Sequence, residues 1–135
     1  MKVVVAEDTG FCYGVKRAID LVTEWLKEKG KVYSLGPLIH NQTVIRKLEK
    51  KGLRIVDNPS QIRGDFIIRS HGLHPLLIEE VKKRNLRIID ATCPFVKMVQ
   101  RRVKFLITNG TKLLLSGTPI TLKLELWLAL PVMKQ

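Results

Sequence analysis

Four side chains able to ligate a metal, hold an anion or attack an electrophile lie in separate short stretches of this chain. They are Cys12 in "GFCYGVKRAID", His40 in "IHN", His71 in "RSHG" and Cys93 in "DATCPFV". Each is read as following an apolar, strand-like run and standing before or at the start of a helix-like one. In a parallel sheet that shared address is one rim, the edge at which open α/β folds bind ligands. The unpaired N–H groups and the dipole of a helix N-terminus favour a thiolate at Cys12 or Cys93 and an anion beside His40 or His71. Gly10 and Gly14 allow a tight turn and close backbone approach around Cys12, while Pro94 fixes the chain just past Cys93. The third histidine, His74, beside Pro75, is read as a surface residue.

The chemistry open to two thiols is restricted. Cys12 and Cys93 are the only cysteines, too few for a disulfide framework, and without a Cys-x-x-Cys pair they do not match zinc-finger spacing. A Cys2His2 zinc site is chemically possible. Iron–sulfur clusters take cysteine thiolates, ideally four, and a three-cysteine site leaves one iron open to a substrate oxygen. This chain offers two, and two inert core thiols are the plain alternative.

The elements that must position these residues are marked by period and punctuation. "KVVVAE", "KVYSL", "RIV", "DFIIRS" and "LRIID" read as strands, and "TKLLLSG" begins another. "GVKRAIDLVTEWLKEKG" reads as a helix with Ala18, Leu21, Val22, Trp25 and Leu26 on one face and Gly30 as its stop. Asn41 should cap a helix ending at Gly52, Pro75 should open another, and Pro94 should open a fourth that ends at Gly110. Strands alternating with helices predict an α/β fold, a parallel-sheet αβα sandwich.

Composition sets the outer bounds. A chain of 135 residues, 45% hydrophobic and 27% charged, fits a folded domain. No run approaches a membrane span and "MKVVVAED" is too short for a signal peptide, so the cytoplasm is expected. The formal charge of +12 favours an anionic partner, although much of it lies in helical repeats that read as solvated faces. A basic nucleic-acid-binding module is disfavoured, because aromatics make up 6% and no stacking motif occurs.

In this order and spacing, "GFCYGVKRAI", "IHN", "RSHG" and "DATCPFV" resemble the amino-terminal third of the 4-hydroxy-3-methylbut-2-enyl diphosphate reductase (LytB) family over residues 1 to about 117. The resemblance implies a three-domain trefoil around a [4Fe-4S] cluster held by three cysteines, one per domain. The fourth iron takes the substrate hydroxyl, whose reductive removal gives isopentenyl and dimethylallyl diphosphates in the methylerythritol phosphate route. It makes Cys12 and Cys93 cluster ligands and His40 and His71 contacts to the diphosphate of the allylic substrate. It further implies a ferredoxin- or flavodoxin-type electron donor, while the composition and the lack of long apolar runs lead to the expectation of no nucleic-acid and no membrane partner. On this pattern residues 1–95 form the first domain and 96–117 begin the second.

Residues 118–135, "TPITLKLELWLALPVMKQ", depart from the family. There a Gly-x-x-x-His-Pro-Glu-Val type segment is expected, whose histidine contacts substrate and whose glutamate relays protons, and a third cysteine much later. Codons that encode this tail also permit, one nucleotide earlier, a frame reading His-Pro-Glu-Val at the required place. The tail is therefore expected to be a frameshift product, and a chain lacking those residues is expected to have little or no reductase activity. A non-catalytic α/β fragment that binds diphosphates weakly through His40 and His71 is the alternative.

Overall fold

The computed structural model describes residues 2–4 and 10–111. Helix α1 (Tyr13–Lys29) is followed by strand β1 (Val32–Leu35), α2 (Gln42–Lys50), β2 (Leu53–Val56), a 3-10 turn (Pro59–Gln61), β3 (Phe66–Ile68), α3 (Pro75–Lys83), β4 (Ile88–Asp90) and α4 (Pro94–Thr108). The four strands form one parallel sheet in the order β2-β1-β3-β4.

Alternation along the strands builds a core on each face of this sheet. Val32, Leu53, Ile55, Ile67 and Ile89 point to one side, where they meet Ala18, Val22 and Leu26 of α1 and Ile45 and Leu48 of α2. Tyr33, Phe66, Ile68 and Ile88 point to the other and meet Ile62, Leu73 and Val81. The period of two in the strands and of nearly four in α1 thus produces the expected αβα sandwich.

The punctuation works as read. Gly30 adopts the left-handed conformation, φ 71°, and returns its N–H to the Leu26 carbonyl at 2.9 Å. The Asn41 side chain accepts from the Val44 N–H at 3.0 Å, capping α2. Pro75 and Pro94 occupy the first turns of α3 and α4. His74, read as plain surface, is the N-cap of α3, its Nδ1 accepting from the Leu76 N–H at 3.3 Å.

One expectation fails where it is described. In "KVVVAE", residues 2–4 are irregular, with Val3 73% and Val4 80% exposed. β-branched residues favour a strand only where a neighbouring strand and a packed face receive them, and none among the described residues does so here. The rest of that run, the strand expected at "TKLLLSG" from Lys112 onward and the tail 118–135 lie outside the described residues.

Helix α4 differs from the other three. It buries none of its residues, and Phe95, Met98, Val99 and Phe105 are exposed. Among the described residues no helix is long and apolar enough to cross a membrane.

Candidate functional site

The strand order creates the site. From β1 the chain leaves through α2 to β2, and from β3 it leaves through α3 to β4, the two outer strands of the sheet among the described residues. Because α2 and α3 cover opposite faces, the loops leaving β1 and β3 lie where the direction of the connections reverses, at the carboxyl ends of these two adjacent strands. Such a switch point is where open α/β sheets bind ligands. His40 lies on the first loop and His71 on the second, both exposed. Their rings stand 4.7 Å apart between centroids, tilted by 32°.

A relay of hydrogen bonds stitches the three rim loops together. The Leu38 carbonyl accepts from both the N–H and the Oγ–H of Ser70, each at 3.2 Å. The Ser70 carbonyl in turn accepts from the Cys93 N–H at 2.9 Å. Ser70 is 2% exposed, so these bonds run in a water-poor interior where an unmade one is costly. The relay carries position from the His40 loop through the His71 loop to Cys93.

Arg69, two residues before His71, reaches across to the His40 loop. Its Nε donates to the Gly72 carbonyl at 3.2 Å, and its guanidinium lies against Gly36, at the root of the His40 loop. Burial holds the Arg69 pKa below its ordinary value, yet guanidinium groups stay protonated in proteins. No carboxylate pairs with it among the described residues. A fixed, half-buried positive charge bridging the loops that carry the two imidazoles suits an anion.

The thiols occupy equivalent positions. Cys12 is the N-cap of α1 and Cys93 the N-cap of α4, and neither side chain caps its helix. Cys12 is exposed and Cys93 half-buried. They meet through Gly14: a Cβ placed on that residue would stand 2.5 Å from Cys93 Sγ, so the Cys93 side chain rests on the first turn of α1, two residues from Cys12. Cys12 therefore shares the rim, although the strand expected before it is not seen among the described residues.

Charged groups brace the Cys93 turn. Arg17 donates to the carbonyls of Thr92 and Asp90, both at 3.4 Å. The Asp90 carboxylate pairs with Lys97 Nζ at 2.6 Å and accepts from the Thr92 N–H at 2.9 Å. Partial burial of Asp90 pushes its pKa up, but the bonds from Lys97 and Thr92 outweigh this and leave it below the ordinary carboxylate value.

The donor set is right in kind for an iron–sulfur cluster, which takes cysteine sulfur, and Gly14 leaves a cradle around one sulfur that a Cβ would fill. It is short in number: no three His, Cys, Asp or Glu side chains gather as a metal site among the described residues. A cluster held here would take its further ligands from outside them. Ser70, Arg69, Arg17 and Gly14 were not singled out by sequence reasoning for these contacts. The signal for the first two was their place inside "RSHG", and for the last two their place inside "GFCYGVKRAI", with Arg17 one turn beyond Gly14.

Comparison with known proteins follows the same residues. The model of the family described as LytB protein matches residues 3–120. A 4-hydroxy-3-methylbut-2-enyl diphosphate reductase of Geotalea daltonii is 42% identical over 118 residues, which cover 87% of this chain and 42% of that protein. The enzyme of the same name from Dehalococcoides mccartyi is 46% identical over 105 residues, covering 77% and 37%. Among solved structures, the E-1-hydroxy-2-methyl-but-2-enyl-4-diphosphate reductase of Plasmodium falciparum superposes with a TM-score of 0.73 at 37% identity, over 76% of this chain and 33% of that one. The chain thus spans about two fifths of the length of the curated relatives it matches.

Proposed function

The chain belongs to the LytB protein family, and from that premise we propose that it supplies two cluster cysteines and the diphosphate-binding histidines of a 4-hydroxy-3-methylbut-2-enyl diphosphate reductase. The reaction is the reductive removal of the hydroxyl from an allylic diphosphate, giving isopentenyl and dimethylallyl diphosphates. The observation that carries the reading is the convergence of the His40, His71 and Cys93 loops on one rim of the sheet, through the Leu38–Ser70–Cys93 relay.

Within that reaction the described residues bind and orient. In this reading His40 and His71, on the loops that follow two adjacent strands, contact the diphosphate oxygens, and Arg69, which bridges those loops, adds a permanent charge. Cys12 and Cys93 are the residues that would hold the [4Fe-4S] cluster, which when bound supplies electrons and a Lewis-acidic iron for loss of the hydroxyl. The resemblance gives the proton relay to the His-Pro-Glu-Val segment, so no described residue is assigned that role. Electrons would come from a ferredoxin- or flavodoxin-type carrier, whose acidic surface suits a chain of formal charge +12. The cytoplasm, where thiols stay reduced, is the matching compartment.

The division into a first domain at 1–95 and a second beginning at 96 is supported by α4. The core closes on both faces of the sheet without it, and it buries none of its own residues.

Anaerobic reconstitution of the chain with iron and sulfide, with metal analysis and a titration with inorganic diphosphate, tests the proposal. Bound iron with matching sulfide, and diphosphate binding that depends on His40 and His71, are expected. Zinc in place of iron, with diphosphate binding indifferent to both histidines, would overturn it.

A further inference from the structure

Gly14 is the second residue of α1 and is buried. Its φ is not positive, unlike that of Gly10 or Gly30, so the backbone there does not call for glycine. At a helical position, here in the first turn, glycine is ordinarily less stable than alanine. The reason for glycine lies in space. A Cβ at residue 14 would stand 2.5 Å from Cys93 Sγ, 2.7 Å from Cys93 Cβ and 3.7 Å from Cys93 Cα, closer at the first two than packed side chains come.

The Cys93 side chain has little freedom to retreat. Its N–H is held by the Ser70 carbonyl at 2.9 Å. The two preceding carbonyls that face α1, those of Asp90 and Thr92, are held by Arg17, one turn along from Gly14. Beyond it, Lys97 in α4 is tied back to Asp90. The contact therefore fixes where Cys93 stands relative to the turn that bears Cys12.

We propose that Gly14 is a positioning residue that sets the separation of the Cys12 and Cys93 thiols, with Arg17 seating the Cys93 turn against α1 before any metal arrives. This rests on the reading of both cysteines as ligands of one metal group. Gly14 touches no substrate; it acts by leaving room for a sulfur.

Two measurements on the full chain, free of iron, test it. The first is a mutant cycle in chemical denaturation. Gly14→Ala should lower the unfolding midpoint in the parent, but raise it in the Cys93→Gly background, where the obstructing side chain is gone and glycine is a tolerated N-cap. A Gly14→Ala change that stabilises both backgrounds, or destabilises both equally, overturns the contact. The second is titration with cadmium, read by thiolate-to-metal absorption. Tight binding should be lost in Cys12→Ser and in Cys93→Ser, and Gly14→Ala should weaken it about 10–100-fold, the effect usual for a group that orients a ligand. Undiminished cadmium affinity in Gly14→Ala, with both serine variants impaired, sinks the positioning role and leaves the ligand reading standing. Cadmium binding indifferent to both serine variants sinks the ligand reading itself, whatever the denaturation cycle shows.

Discussion

The imidazoles of His40 and His71 face each other at 4.7 Å because they leave the carboxyl ends of β1 and β3, which are neighbours in the sheet although α2, β2 and the 3-10 turn separate them in sequence. Two rings so close share one ligand more readily than two. Replacing either histidine by alanine is expected to weaken binding of inorganic diphosphate by about 10–100-fold, in line with the roughly 1.5–3 kcal/mol of a hydrogen bond to a charged group. The double variant should lose less than the sum, since the two rings act on one anion. Isothermal titration of the parent and three variants measures both.

Arg69 should matter for the anion in a way lysine cannot replace. The guanidinium both holds the Gly72 carbonyl through Nε and lies against Gly36, a geometry that needs a planar fork. Arg69→Lys keeps the charge, yet diphosphate affinity is expected to fall several-fold. Arg69→Met should lower it further and flatten its dependence on salt. Equal affinity in Arg69→Lys and the parent would remove the residue from the site.

Ser70 carries the relay between loops. Ser70→Ala deletes the Oγ–H donated to Leu38 and spares the two backbone bonds. A cost of about 0.5–1.5 kcal/mol in urea unfolding is expected. Hydrogen exchange should quicken at the Cys93 amide, whose acceptor is Ser70.

Asp90 makes the rim sensitive to acid. Its folded pKa lies below the ordinary carboxylate value, because Lys97 and Thr92 outweigh the effect of burial. Its contribution is therefore fully present above the unfolded value near ~3.9, and disappears as pH falls through the lower, folded one. The ion pair is solvent-accessible, with the two side chains 35% and 42% exposed, so the effect is about 0.2–1 kcal/mol. Asp90→Asn should lower stability near neutral pH and flatten the acid limb of a urea-stability profile. A profile unchanged by the substitution would deny the carboxylate this role.

Much of the frame was legible before the fold was known, for local reasons. The Asn41 cap, the Gly30 stop and the prolines opening α3 and α4 act within a few residues of themselves. The adjacency of β1 and β3 was not legible. Strand pairing is a long-range choice, and periodicity names the buried face of a strand without naming its neighbour. The rim was therefore foreseen as an address shared by four residues, while the His40–His71 pair and the Ser70 relay had to be seen. The valines of residues 3 and 4 misled for the converse reason: their strand propensity is local, and its fulfilment depends on a partner. Gly14 was read as room for a close approach, but what approaches it, Cys93, lies in a distant part of the chain.

The order of the strands also sets a timetable. A chain emerging from the ribosome completes β1, β2 and β3 before β4 and the Cys93 turn have been made. Cys12 is synthesised first of the four, and its partner sulfur arrives last. The His40–His71 pair can thus form on a nascent chain that has no second thiol to offer, and the Cys93 turn docks on α1 last.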